Sequence, residues 1–370
     1  MKSSSVKKAD IQLIDSKVFG ERVRVSRTRK FSFEQYYSRQ MVLKEFGERG
    51  QRKLVKSKVA VVGLGGLGTV SSLYLTLAGV GCIRLIDQDV VELANLHRQI
   101  LYSPDDIGFP KVEISARRLA AANPFVEVEP VAENVNSVNV ERLLSGVDCV
   151  VDGLDNMRTR YLINRACIRL GIPYVFGAAI GVEGNLSVFE APDTPCLECF
   201  LPNADDSYLE TCESRGVIGA APGIIGSMQA METIKVLTGM GSTLKGKLMV
   251  CDFADMYFST IDILKRPDCT ACNSIGREVV AGEKVVWLCG RSTANVNPEK
   301  PLKMSLNDAF VAIKDMFKVR VKSQFAVIFD YKGFEITLFN GGRMIIKNVK
   351  SESAALRVYR ELRKRLDGRR

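Results

Sequence analysis

Val59-Ala60-Val61-Val62-Gly63-Leu64-Gly65-Gly66-Leu67-Gly68 is the stretch on which the reading of this chain turns. Four β-branched or small apolar residues read as a buried strand. They run into a GxGxxG turn and then into a helical pattern. The first glycine permits the tight turn. The second lets backbone approach a phosphate, and the third lets helix pack closely on strand. The following helix start offers free N–H groups to an anion. The uncharged run 59–83 is 25 residues long, enough for a membrane span by length alone. Gly63, Gly65, Gly66 and Gly68 inside it favour a strand–turn–helix instead. A second apolar stretch ends at Asp87, nineteen residues after Gly68, where a carboxylate suits ribose hydroxyls.

Outward from this loop, strands are expected at Val59–Val62, Cys82–Ile86, Val126–Pro130, Cys149–Val151, Tyr174–Phe176 and Asn185–Glu190. Helices are expected at Leu67–Ala78, Glu113–Asn123, Arg158–Arg169 and Gly226–Leu237, with residues 31–57 one amphipathic helical stretch. Alternation of this kind predicts an α/β fold, a doubly wound, mostly parallel, Rossmann-like sheet. Beyond residue 276 the pattern changes. Strands at Val285–Leu288, Phe325–Asp330, Glu335–Phe339 and Met344–Val349, and helices at Ser305–Phe317 and Ser351–Arg365, predict a small C-terminal α+β domain. The expected organisation is a basic N-terminal extension (1–30), a nucleotide-binding domain (31–276) and the C-terminal domain (277–370).

Composition narrows the chemistry. With 370 residues, 46% hydrophobic and 25% charged, the chain can bury a core without disulfide staples. His97 is the single histidine, which sets aside multi-histidine metal centres and histidine-based acid/base pairs. The net charge of +10 is uneven. Residues 41–276 carry 22 basic and 28 acidic side chains, whereas 277–370 carry 20 and 10. A mildly acidic body is a poor nucleic-acid platform, so no nucleic acid is expected as partner. The basic C-terminal part suits an acidic partner or plain solvation. The polar start, Met1 to Asp10, has no apolar signal core, and ten cysteines without one point to metal or thiol chemistry in the cytoplasm.

Three clusters qualify the glycine loop. Asp87-Gln88-Asp89 through Asn95-Leu96-His97-Arg98-Gln99 follows the second strand. Gly108-Phe109-Pro110-Lys111 opens a helix, and Gly153-Leu154-Asp155-Asn156 follows a later strand. In a doubly wound sheet such positions converge on one crevice. Hydride transfer has no need of two cations, Arg98 and Lys111. A triphosphate undergoing displacement does, together with a carboxylate such as Asp155 to hold Mg²⁺. Taken singly, Asp155 reads equally well as a helix cap. An NAD- or FAD-dependent oxidoreductase rests on the glycine loop alone.

Cys196-Leu-Glu-Cys199 and Cys269-Thr-Ala-Cys272 have 69 residues between them. Four thiolates suit tetrahedral Zn²⁺ with no open position, the alternative being a redox-active pair. Cys212 lies apart in a small, polar stretch, where Arg215 would favour its thiolate; an ordinary loop cysteine is the competing reading.

Tyr37-Ser38-Arg39-Gln40, the glycine loop, the 95–99 run, 108–111, 153–156 and both CxxC pairs together resemble the ThiF/MoeB/HesA family, related to ubiquitin-activating enzymes. The resemblance spans about residues 34–273. It implies an ATP-dependent adenylyltransferase that activates the C-terminal glycine of a ubiquitin-like or sulfur-carrier protein. Gly63, Gly65, Gly66 and Gly68 would surround the nucleotide and Asp87 would hold the ribose, with Asp89 beside it. Asn95, Arg98, Gln99 and Lys111 would bind phosphates, and Asp155 would hold Mg²⁺. Arg39 resembles the arginine that reaches ATP from the second subunit of a homodimer. The cysteine equivalent to Cys212 takes up the activated partner in some members, so transfer to a cysteine is a second expected step. A sulfurtransferase or a conjugating enzyme would act downstream. A non-catalytic adaptor of the same fold is the remaining alternative.

Overall fold

The computed structural model describes residues 12–13, 32–206, 214–273, 285–287, 292–298, 300 and 302–367. They fall into two compact units. The described residues of Val18–Ile107 and Lys111–Gly282 form the larger; those of Met1–Lys17, Gly108–Pro110 and Glu283–Arg370 form the smaller. The first element in the chain, the two-residue strand β1 (Gln12–Leu13), belongs to the smaller unit.

The larger unit begins with α1 (Phe33–Met41) and α2 (Gly47–Lys56). One helical stretch was expected here. The chain breaks between them because Gly47 takes a positive φ of 54°. Then β2 (Lys58–Val62), α3 (Gly66–Ala78), β3 (Cys82–Ile86), α4 (Lys111–Ala122), β4 (Glu127–Val131), α5 (Val140–Leu144), β5 (Cys149–Asp152), α6 (Met157–Leu170) and β6 (Tyr174–Ile180) alternate, as the sequence predicts except for the five-residue α5, which it does not signal. After them come β7 (Glu183–Phe189), α7 (Leu197–Phe200), α8 (Ala220–Thr238), β8 (Lys247–Asp252), β9 (Tyr257–Asp262) and α9 (Thr270–Asn273).

Strands β2 to β9 form one sheet in the order β4-β3-β2-β5-β6-β7-β8-β9. The first five are parallel and the last three extend the sheet antiparallel. Val59 to Val62 are fully buried, as a strand covered on both faces must be, and each side chain so buried contributes about 1.5–3 kcal/mol. The uncharged run is therefore core: it makes β2, α3 and the start of β3. Among the described residues, no helix is long and apolar enough to cross a membrane. Strands β8 and β9 were not foreseen. β9 is an edge strand, and Tyr257, Phe258 and Ile261 on it are exposed, so burial never imposed a readable alternation.

The smaller unit contains β10 (Val285–Trp287), β11 (Thr293–Val296), α10 (Leu306–Ile313), β12 (Val319–Lys322), β13 (Ala326–Tyr331), β14 (Phe334–Phe339), β15 (Met344–Lys347) and α11 (Glu352–Asp367). Its sheet runs β1-β12-β13-β14-β15-β11-β10 and is antiparallel except at β1. Phe329, Leu338, Ile346, Ile313, Val358 and Leu362 share its core. Ser351 accepts from the Ala354 N–H (3.3 Å) as the expected cap of α11. Two strands escaped the sequence reading, β11 and β12, each four residues long with polar interruptions. The N-terminal segment is also not wholly an extension, since Gln12 and Leu13 pair in parallel with Val321 and Lys322.

Candidate active site

Strand order reverses between β2 and β5, so a crevice opens at their carboxyl ends. The two loops there meet through bare backbone. Gly63 has φ +87°, and a Cβ on it would lie 2.5 Å from the Gly153 carbonyl oxygen. A Cβ on Gly68 would lie 1.8 Å from the Gly63 oxygen, and one on Gly153 would lie 2.1 Å from it. No side chain fits at these three positions. A Cβ on Gly65 would make only ordinary contacts, 3.6 Å from Gly153 O and 3.9 Å from Gln99 Nε2. Gly66 faces Pro222 and the Arg98 stem, 3.0 and 3.6 Å from its missing Cβ.

Asp87 ends β3 and turns inward. Its two oxygens accept from the Leu64 N–H (2.6 Å) and the Asp89 N–H (2.7 Å). It braces the glycine loop, and each oxygen keeps a second lone pair for a ribose hydroxyl. Lys111, the first residue of α4, is 5% exposed. Its ammonium sits 3.2 Å from Asp89 Oδ2, and its N–H donates to the Asp89 carbonyl. Burial works against the Lys111 charge, but Asp89 and Asp87 outweigh it and hold the pKa above the ordinary lysine value. The second oxygen of Asp89 is buried and has no hydrogen-bond partner among the described residues.

Burial, then the neighbouring carboxylates of Asp87 and Asp155, push Asp89 up to about 6 against the opposing pull of Lys111. Ionisation is thus harder in the folded chain than in the unfolded one. Asp89 favours folding most below the ordinary carboxylate range, and that contribution is lost as pH rises through about 6. A carboxyl NMR titration should give Asp89 a midpoint near 6. The midpoint should rise in Lys111→Met and fall in Asp155→Asn. A midpoint at the ordinary value in the unsubstituted protein contradicts this electrostatic picture.

Asn95 ends a short 3-10 turn and accepts from Arg98 Nη2 (2.7 Å). Arg98 also donates to the Ala94 carbonyl (3.2 Å), and its Nη1 lies 2.9 Å from His97 Nε2. Gln99 is buried, and its Oε1 has no hydrogen-bond partner among the described residues. The Asp155 carboxylate is exposed just beyond β5. The cap of α6 is Asn156, whose Oδ1 accepts from the Thr159 N–H (2.9 Å). Asp206 takes the Met157 and Arg158 N–H groups at 2.6 and 3.1 Å. Helix capping thus falls to Asn156 and Asp206.

Of the expected residues, the glycines, Asp87, Asp89, Asn95, Arg98, Gln99 and Lys111 gather around the glycine loop. Arg39 does not. It is exposed in the last turn of α1 and makes no hydrogen bond or ion pair among the described residues. Its neighbours turn inward: Tyr37 accepts from Asn123 (2.7 Å), and Gln40 donates to the Ala78 carbonyl (2.8 Å). Cys212 lies outside the described residues. Arg215, the cation expected to favour its thiolate, makes a two-pronged pair with Glu183 at 2.6 and 3.2 Å. Asp152, Arg160 and Tyr102, not singled out from sequence, hold the two loops. The one sequence signal for Asp152 was a charge ending an apolar strand.

The four expected cysteines do come together, at the starts of α7 and α9. All are buried, and their Sγ atoms lie within 4.8 Å of one another. The separations are 3.9 Å for Cys196–Cys199, 3.7 Å for Cys196–Cys269 and 3.6 Å for Cys199–Cys272. Disulfide sulfurs lie about 2.05 Å apart. Sulfurs about 2.3 Å from a tetrahedral Zn²⁺ lie about 3.8 Å apart, which these match. Asn164 and Arg165 of α6 tether the first pair. Asn164 accepts from the Leu197 N–H (3.1 Å), and Arg165 pairs with Glu198 (2.8 Å).

Residues 37–271 match the ThiF family. This chain belongs to the ThiF family. It is 41% identical over 257 residues to a SAMP-activating enzyme E1 of Haloferax volcanii, covering 69% of this chain and 95% of that protein. It is 40% identical over 242 residues to a sulfur carrier protein adenylyltransferase of Thermus thermophilus, covering 64% of this chain and 89% of that one. Adenylyltransferase and sulfurtransferase MOCS3 of Culex quinquefasciatus is 43% identical over 239 residues, and there the ThiF-family chain spans about half the relative's length, 55%. Among solved structures, E. coli MccB with ATP aligns at a TM-score of 0.57 and 25% identity, covering 64% of this chain and 74% of that one.

Proposed function

We propose that this ThiF-family protein uses ATP to adenylate the C-terminal glycine carboxylate of a small ubiquitin-like or sulfur-carrier protein. It is an adenylyltransferase. The observation that carries the choice of substrate chemistry is the buried Lys111 ammonium, held by Asp89 beside the glycine loop. Displacement at a triphosphate needs such a charge beside the phosphates, and an adaptor that used no ATP would carry its burial cost to no purpose. Relatives named as a sulfur carrier protein adenylyltransferase and a SAMP-activating enzyme support the reading.

The carboxylate oxygen of the partner attacks the α-phosphorus. A new O–P bond forms, the α–β bridging P–O bond breaks, and pyrophosphate leaves with the electron pair. The nucleophile is already ionised at neutral pH, so no general base is required, which suits a chain with one histidine. The difficulty is anion meeting anion. Lys111 and Arg98 screen it, while the N–H groups of the glycine loop and the α3 N-terminus receive phosphate oxygens. Asn95 and Gln99 complete the polar rim, and Asp87 takes the ribose. Asp155 would hold Mg²⁺, which supplies further charge neutralisation when bound. The exposed carboxylate of Asp155 and the orphaned buried oxygen of Asp89 are hard donors that fit this ion. The four cysteines would hold a structural Zn²⁺.

Arg39 acts from a second copy of the chain in this proposal. It faces outward, and Tyr74, Leu77 and Met231 of α3 and α8 form exposed apolar surface suited to a homodimer. The test is ATP–pyrophosphate exchange, expected only with a carrier protein whose C-terminal glycine carboxylate is free. C-terminal amidation of the carrier should abolish it. Arg39→Ala and Asp155→Ala should each be inactive, yet mixing and re-dimerising them should restore roughly a quarter of the activity, since half the dimers then hold one intact site of two. No restoration would place Arg39 outside the partner's site. A carrier-independent absorbance change with NAD or FAD would overturn adenylation.

A further inference from the structure

Two leucines flank the crevice, one in each loop, and both peptide groups of each are tied. The Leu64 N–H donates to Asp87 (2.6 Å), and its carbonyl accepts from Tyr102 Oη (3.1 Å). The Leu154 N–H donates to Asp152 Oδ1 (2.8 Å), and its carbonyl accepts from Arg160 Nη2 (2.7 Å). In each case a carboxylate at the end of a parallel strand takes the N–H, and a buried donor from a neighbouring element takes the carbonyl.

The donors are expensive to keep. Tyr102 and Arg160 are each 7% exposed. Burial raises the Tyr102 phenol far above its ordinary pKa, so it stays a proton donor. Its oxygen also meets Ser115 Oγ (3.0 Å) on α4, the helix that begins with Lys111. Arg160 gives Nε to Asp152 Oδ2 (2.9 Å) and Nη2 to the Gly177 carbonyl (2.8 Å), with its guanidinium 5.0 Å from the Phe176 ring centre. Tyr174 donates to the same Asp152 oxygen (2.7 Å). An apolar residue fills a core at lower desolvation cost than these groups. What they add is a fixed carbonyl direction, one residue before Gly65 in the first loop and one residue before Asp155 in the second.

We infer that Tyr102 and Arg160 are positioning residues for adenylation. Tyr102 acts through Leu64 on the glycine loop that receives the phosphates, and Arg160 acts through Leu154 on the turn that carries Asp155. The inference rests on the adenylation reading. It assigns the two residues to different kinetic parameters. The glycine loop contacts nucleotide in ground and transition states alike, so loosening it raises the KM for ATP. Asp155 serves the reacting phosphate, so displacing it lowers kcat.

The full-length protein should be compared with Tyr102→Phe and Arg160→Lys. Tyr102→Phe loses the hydrogen bonds to the Leu64 carbonyl and Ser115 Oγ but keeps the ring packing; the KM for ATP should rise about five- to tenfold with kcat within about twofold. Arg160→Lys keeps the charge but loses the fork; kcat should fall about tenfold or more with the KM for ATP little changed. Without ATP, amide hydrogen exchange should quicken at residues 64–66 in the first variant and at 154–156 in the second. Should Arg160→Lys fail to fold, Tyr174→Phe loosens Asp152 without changing charge and should reproduce the kcat loss more mildly. Unchanged kinetics and exchange in folded variants, or equal loss in both parameters tracking the folded fraction, would overturn the inference. If the unsubstituted protein shows no pyrophosphate exchange with any carrier, adenylation itself fails, and amide exchange still decides whether the two clamps exist.

Discussion

Lys111→Ala should reduce ATP–pyrophosphate exchange by two to three orders of magnitude while the protein stays folded. Removal of one well-placed charge facing a developing transition-state charge costs about 3–4 kcal/mol, and each 1.4 kcal/mol is about tenfold in rate. Lys111 meets the condition for such a value. It is buried, so solvent screens it little, and Asp89 and Asp87 keep it protonated at any working pH. The substitution deletes a cation and leaves the Asp89 and Asp87 carboxyl groups without their counter-charge where a triphosphate must sit. Asp155→Ala should bring a loss of similar size by another route. Its carboxylate is exposed, and α6 is capped by Asn156 and Asp206, so the variant should melt within about 2 °C of the parent. Exchange near the parental rate in Lys111→Ala would remove the central cation from the mechanism; a collapsed melting curve in Asp155→Ala would make that residue structural.

On the zinc proposal, Cys269→Ser should release the ion and lower Tm by roughly 10 °C, corresponding to about 4 kcal/mol in a unit of this size. The reason is distance along the chain. Cys196 and Cys199 start α7, Cys269 and Cys272 start α9, and 69 residues intervene, among them all of α8, β8 and β9. An ion joining the two ends closes that long loop, and unfolding must give up the ion as well. Elemental analysis should find about one zinc per chain in the parent and little in the variant. A chelator should reproduce the stability loss without touching the crevice residues, so exchange per folded molecule should persist. Equal metal content and an unaltered melt would refute the assignment.

Much of the crevice was legible in the sequence because its chemistry is local. Gly63, Gly65, Gly66 and Gly68 sit within six residues, Asp87 ends the next strand, and Lys111 begins a helix. Each carries its reason in its immediate neighbours. The two CxxC pairs read correctly as a single cluster because thiolate spacing has few alternatives. Asp152, Arg160 and Tyr102 were not legible. Their roles depend on which carbonyl another loop brings within reach, and nothing in residues 149–160 alone states that Leu154 needs holding. From its neighbours alone Asp155 reads as cap or ligand, because the capping shared by Asn156 and Asp206 depends on a residue 51 positions later in the chain. β8 and β9 were missed for a different reason. β9 is an edge left in solvent, and β8 beside it buries Leu248 and Cys251 three residues apart, so neither shows a period-two signature.

The contact of Gly63 with Gly153 and Gly68 has a mechanical side. Elsewhere in the core, side chains act as springs that absorb small shifts between neighbouring segments. At this seam the two loops meet through peptide groups, with no side chain between them. The seam therefore sets how closely the phosphate-facing turn and the Asp155 turn approach, while each turn is held by its own carbonyl clamp. A side chain at any of the three glycines would wedge the two turns apart and spoil both at once.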